Sequence, residues 1–152
     1  MRSTKPDERR RARELVLQGL YQRQLSGNAD EAIRGDLLET DDANGADREY
    51  LTELWRGVTR ESDALLAAVA PHASRAVTAL SPIERSILMI GAWELMHRLD
   101  VPYKVVINES VDLAKLYGGI DGHRFVNGVL DKLAVQVREA EIEARKVPRA
   151  AG

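Results

Sequence analysis

Cysteine is absent from this chain, which removes disulfides, thiolate metal sites and cysteine nucleophiles together. No run of about 18 apolar residues occurs, so no segment reads as a membrane-spanning helix. The N-terminus is charged and lacks the apolar core of a signal peptide, and the expected compartment is the cytoplasm. Aromatic residues make up only 5% of the sequence, and the alternation that marks half-buried strands is missing. A glycine loop of the phosphate-cradling kind is missing too, since Gly118-Gly119 follows a helical pattern rather than a strand. His72, His97 and His123 are scattered, without carboxylates or histidines at metal-ligand spacing. No serine stands in a nucleophile-elbow pattern. Glu109 and Asp112 lie three apart on one helix, a spacing that solvated faces also show. These gaps argue for a protein that is not an enzyme and holds neither metal nor cofactor.

What is there is helical. With 152 residues, 44% hydrophobic and 30% charged, the chain has the size and composition of one globular domain. Apolar residues recur at spacings of three and four. Ala12, Leu15, Val16, Gly19 and Leu20 form one stripe from Pro6 to about Ser26, stopped by Gly27-Asn28. A weak helix is predicted from Asp30 to Leu38, then a polar loop from Thr40 to Ala46. The pattern resumes from Asp47 to about Ala70 through Leu51, Leu54, Trp55, Val58, Leu65, Leu66 and Val69. Pro71 ends or kinks that helix, and a short turn is expected over His72 to Val77.

Ser81-Pro82-Ile83-Glu84 reads as a capping box: Ser81 caps free N–H groups, Pro82 suits the first turn, and Glu84 reaches back. The helix that follows is apolar nearly all round through Ile87 to Trp93, so it should be the hub of the fold. Glu94 sits inside that hub and requires a partner. Tyr103 to Tyr117 is amphipathic, and Gly118-Gly119 stops it. Asp121 is placed to cap the last long helix, whose buried face is Val126, Val129, Leu130, Leu133 and Val137. That helix carries Asn127-Gly128 in its middle. Gly there costs roughly 1 kcal/mol relative to Ala, so the pair needs a packing or a functional reason. Residues 1–145 read as one all-α domain of six or seven helices, and residues 146–152 as a tail expected to fray.

Charge is unevenly spread. The net charge is −2, yet Arg2, Lys5, Arg9, Arg10, Arg11 and Arg13 crowd the N-terminus. Nine carboxylates stand against Arg34 and Arg48 between Asp30 and Glu53. At about 100° per residue, Arg9, Arg10 and Arg13 share one arc of the first helix, with Tyr21 near the same azimuth roughly 16 Å along. A row of guanidinium groups ending in an aromatic ring suits single-stranded RNA, the charges meeting phosphates and the ring meeting a base. Two plainer readings remain open: a solubilising helix end for the arginines and a core-edge ring for Tyr21.

Six blocks, in order, resemble the NusB family of bacterial transcription antitermination factors. They are Arg9 to Glu14 with Gln18 to Tyr21; Pro82 to Leu88; Trp93-Glu94-Leu95; Val101 to Lys104; Ile107 to Lys115; and Phe125 to Asp131. The resemblance covers roughly residues 8 to 137. It implies a helical bundle in two packed subdomains that is not an enzyme. It also implies binding of the boxA element of ribosomal RNA leader transcripts, as a heterodimer with the ribosomal protein NusE. That heterodimer would join RNA polymerase and other Nus factors.

By position, the resemblance makes Arg9, Arg10, Arg11 and Arg13 the arginine-rich RNA-binding motif. It puts Tyr21 and Glu84 at the NusE and RNA surface, and Asp121 and Phe125 in a second part of the RNA surface. Glu84 thus has two candidate duties, cap and partner contact. The alternatives are a structural helical scaffold that forms homodimers through an exposed apolar face, and a relative of the NusB-like domain attached to some ribosomal RNA cytosine methyltransferases. The lack of a cysteine nucleophile argues against a complete enzyme of the second kind.

Overall fold

The computed structural model describes residues 4–76 and 79–146. Among these, eight α-helices and no strand are present. The first, α1 (Lys5–Ser26), opens on a capping box: the Thr4 hydroxyl accepts from Asp7 N at 3.2 Å, and the Asp7 carboxylate accepts from Thr4 N at 3.3 Å. Gly27 closes it at φ +69°, the left-handed conformation that glycine takes without strain. After α2 (Asp30–Glu39), the expected loop winds into a 3-10 turn over Asp41–Gly45.

The helix expected from Asp47 to Ala70 is divided. α3 (Arg48–Arg60), capped by the Asp47 carboxylate on Tyr50 N at 3.0 Å, ends at Glu61, and α4 (Ser62–Val69) starts at once. The break leaves Val58, Leu65 and Val69 all buried, and it turns the chain from α1 toward α5 and α7. A 3-10 turn over Ala70–His72 follows at Pro71. The turn expected to reach Val77 cannot be followed so far, since Val77 lies outside the described residues.

Three long helices complete the body: α5 (Pro82–His97), α6 (Tyr103–Tyr117) and α7 (Gly122–Val137). α5 is the hub, in contact with α1, α3, α4, α6 and α7, and Ser86 to Leu95 are buried without exception. One subdomain is α1 to α3 and the other α4 to α7, with α5 touching both. Helix approach within the first rests on Gly19, where a Cβ would stand 2.7 Å from Leu37 and from Trp55.

An eighth helix, α8 (Glu139–Lys146), runs one residue into the segment expected to fray. It has no fully buried residue; Ile142 packs partly buried against the core, and carboxylates and cations complete the docking. Glu141 accepts from Tyr103 N at 2.9 Å, capping α6, and pairs with Arg138 at 2.5 Å. Arg138, nearly buried, donates to the Leu95, Glu94 and Arg98 carbonyls. It thereby gathers the carbonyls at the end of α5, where few helical N–H donors remain. Residues 147–152, the rest of the predicted tail, lie outside the described residues.

Candidate nucleic-acid interface

The four arginines of α1 divide by depth. Arg13 is 3% exposed and donates twice to Glu94, each time at 2.8 Å. The Tyr50 hydroxyl donates to the same carboxylate. Glu94 therefore has the partner its burial demanded, and that partner is one of the arginines expected on the RNA surface. In this position the Arg13 guanidinium is committed to an ion pair between α1, α3 and α5 rather than presented to solvent. Burial, the largest influence on Arg13, works against its charge. The hydrogen bonds and charge of Glu94 outweigh it and raise the pKa. Tyr50 shifts upward too, through burial and then the charge of Glu94.

Arg9 is half-buried, its guanidinium 4.6 Å from the centre of the Tyr50 ring and 3.8 Å from Asp47. The shared arc of Arg9, Arg10 and Arg13 thus does not face solvent as a unit. Arg9 and Arg13, one turn apart, both reach inward to Tyr50, because the arc borders the Leu15-Val16 stripe. Arg10 and Arg11 remain half-exposed. Arg10 holds Glu109 through two 3.0 Å hydrogen bonds, which raise its pKa. Arg11 stands 3.5 Å from Asp42.

Tyr21 is 40% exposed on α1. One turn later, Gln24 donates to the Ser86 hydroxyl at 2.7 Å and the Pro82 carbonyl at 3.4 Å. These bonds join α1 to the first turn of α5, the turn that also holds Glu84.

Glu84 does not complete the capping box. Ser81 supplies its half, accepting from Glu84 N at 3.2 Å. The carboxylate turns the other way, to 3.8 Å from Arg75 and against Gly122, where a Cβ would lie 2.9 Å from Oε1. Gly122 opens α7, and its missing side chain admits the carboxylate to the positive end of that helix. This position compensates for another difference. Asp121 occupies the N-cap of α7 at φ +65° but makes no capping hydrogen bond; its exposed side chain stands 3.9 Å from Arg124.

Phe125, half-buried, lies beneath Arg75, whose guanidinium is 4.6 Å from the ring centre. Glu84, Asp121 and Phe125 are therefore gathered at the N-termini of α5 and α7, with Arg75 among them. Arg75 lies in a connecting segment outside every helical pattern, so no sequence signal marked it. Tyr117 ends α6. It is 44% exposed, its pKa raised by partial burial and by Glu14 and Asp42, which sit near it together with Arg11. Nothing lies within 4 Å of a Cβ built at Gly128, so the Asn127-Gly128 step has no packing reason. Asn127 and Asp131 line a shallow groove with Lys104, Ile107 and Asn108.

The model of the NusB family matches residues 10–135. The chain is 51% identical over 138 residues to the transcription antitermination protein NusB of Ralstonia pickettii, covering 91% of this chain and 89% of that one. It is 50% identical over 145 residues to its namesake from an Azoarcus species, covering 95% and 94%. Among solved structures, NusB of T. maritima superposes with a TM-score of 0.76 at 25% identity, over 94% of this chain and 99% of the other. A NusB solved with NusE and double-stranded RNA gives 0.72 at 26% identity, over 84% and 96%.

Proposed function

Since the chain belongs to the NusB family of transcription antitermination factors, we propose that it binds boxA RNA together with NusE and so helps RNA polymerase pass terminators. Residues 1–145 act as the RNA-binding domain, in the cytoplasm where transcription occurs. No described helix is long and apolar enough to cross a membrane. The observation that carries the RNA reading is the pair of half-exposed guanidiniums, Arg10 and Arg11, on the helix that also exposes Tyr21. The guanidiniums attract phosphates, and a base splayed from a single strand can stack on an exposed ring. Phe125 and Asp121, at the start of α7, supply the second part of the surface. There an aromatic edge lies beside a carboxylate that accepts from base amino groups. Tyr21 on α1 and Glu84 at the start of α5 belong to the surface that NusE and RNA share.

A net charge of −2 makes binding by this chain alone weak and sensitive to salt, so the basic ribosomal partner supplies the missing attraction. The test is binding of a fluorescent boxA RNA with and without NusE, beside a scrambled RNA and an Arg10→Ala, Arg11→Ala double variant. Selective binding that strengthens with NusE and falls in the variant is expected. Equal affinity for both RNAs would overturn the reading.

A further inference from the structure

We infer that Arg75, Phe125 and Glu84 form a single-nucleotide subsite that is closed in the free protein by Arg75 itself. The inference rests on the RNA-binding reading above and adds to it a residue and a movement. Two observations place Arg75 over the site. Its guanidinium covers the face of Phe125 at 4.6 Å, and it stands 3.8 Å from the Glu84 carboxylate. Neither contact is a hydrogen bond, and Arg75 makes none among the described residues; its side chain is 52% exposed.

Two arginines of α1 are held differently. Arg13 is locked by two hydrogen bonds inside the core, and Arg10 by two to Glu109. Arg75 is thus a planar cation resting on an aromatic face without a fixed hydrogen-bond geometry. A cation–π contact and a long ion pair near water are both weak.

A nucleotide offers a better partner for each of the three groups. Its phosphate accepts the planar, two-pronged donation that Glu84, at 3.8 Å, does not accept from Arg75. Its base takes the Phe125 face that Arg75 vacates. Glu84, released from the cation and facing the edge of the site, accepts from a base amino group. The carboxylate stays against the start of α7 throughout, since Gly122 leaves it room. Arg75 moves from covering the ring to holding the phosphate, and no bond is made or broken.

The test uses the full chain with NusE and a boxA RNA carrying 2-aminopurine, whose emission is quenched on stacking. Affinity is measured across salt concentrations for wild type, Arg75→Ala, Arg75→Lys and a control, Arg60→Ala, which removes one charge from α3. Arg75→Ala should weaken binding about tenfold, the loss of one charge-assisted contact. It should also flatten the dependence of log affinity on log salt by about 0.7, one phosphate on a single strand. Arg75→Lys should keep the salt slope, and Arg60→Ala should leave both quantities at wild-type values. At one RNA position, quenching by the wild-type complex should vanish in Phe125→Leu. Wild-type binding with an unchanged slope in Arg75→Ala overturns the subsite alone. Absence of selective wild-type binding overturns the RNA reading and the subsite with it.

Discussion

At the scale of single residues, arginines a few positions apart on one helix do different work. Arg13→Ala would leave the Glu94 carboxylate buried without its cation, and removing one partner of such a pair costs about 3–5 kcal/mol. Arg10→Ala breaks a pair whose arginine is half-exposed and should cost less than about 1 kcal/mol. Urea denaturation of the two variants should separate them clearly; equal midpoints would put Arg13 outside the core. Asp121 offers the opposite kind of test. Its φ of +65° is one that Asn adopts readily, and its side chain caps nothing. Asp121→Asn should therefore leave stability unchanged while tightening RNA binding by removing a negative charge. Unchanged affinity would take Asp121 out of the interface. The need of Glu94 for a partner was legible in the sequence. Which arginine met it was not, because the pairing spans 81 positions and helical azimuth alone does not rank depth at the border of an apolar stripe.

At the scale of elements, the stops and caps written in single residues were the most readable. Gly27 and Pro82 bound helices where expected. The break at Glu61 was hidden because Val58 and Leu65 are seven apart, and apolar periodicity passes through a one-residue interruption unchanged. α8 was hidden for another reason: it buries no residue fully, offers Ile142 as its one core contact, and leans on Arg138 and Glu141, whose roles appear only once α5 and α6 are in place. Two element-level changes follow. Gly128 has open space around it in mid-helix, so Gly128→Ala should stabilise the protein by about 0.5–1 kcal/mol, read as a higher denaturation midpoint. A lower midpoint would mean that the space is occupied.

The N-terminus of α3 should be acid-sensitive. Burial alone would raise the Asp47 pKa, but the Tyr50 N–H, Lys5 and Arg9 outweigh it and hold it below 3.8. The unfolded chain therefore binds the proton more readily than the folded one. The stabilisation is present above pH 3.8 and is lost as pH falls below it. Asp47→Asn should remove that part of the acid transition, and an identical acid profile in the variant would show that Asp47 contributes nothing there.

At the scale of the molecule, the buried Arg13–Glu94–Tyr50 cluster joins α1, α3 and α5, and this limits how much charge the N-terminus can present. Six cations crowd the first 13 residues of the sequence, yet Arg13 is sealed and Arg9 is drawn down onto Tyr50. With Arg2 outside the described residues and Lys5 paired to Asp47 at 3.0 Å, Arg10 and Arg11 are left for the RNA surface proposed above, and Arg75 would join them on leaving Phe125. Each phosphate neutralised on a single strand contributes about 0.7 to the slope of log affinity against log salt. The chain alone should then show a slope of about −1.4 to −2.1, shallow for a protein with so basic an N-terminus, and steeper once NusE adds its own cations. A markedly steeper slope for the isolated chain would require Arg9 and Arg13 to leave the core on binding. Tyr50 would then keep the Glu94 carboxylate and lose the Arg13 charge that opposes it, so its pKa would rise further. Absorbance titration of tyrosine in the presence and absence of RNA would detect that release. An unchanged tyrosine titration with a shallow slope is expected, because opening the cluster would expose the α1–α5 seam that holds the two subdomains together.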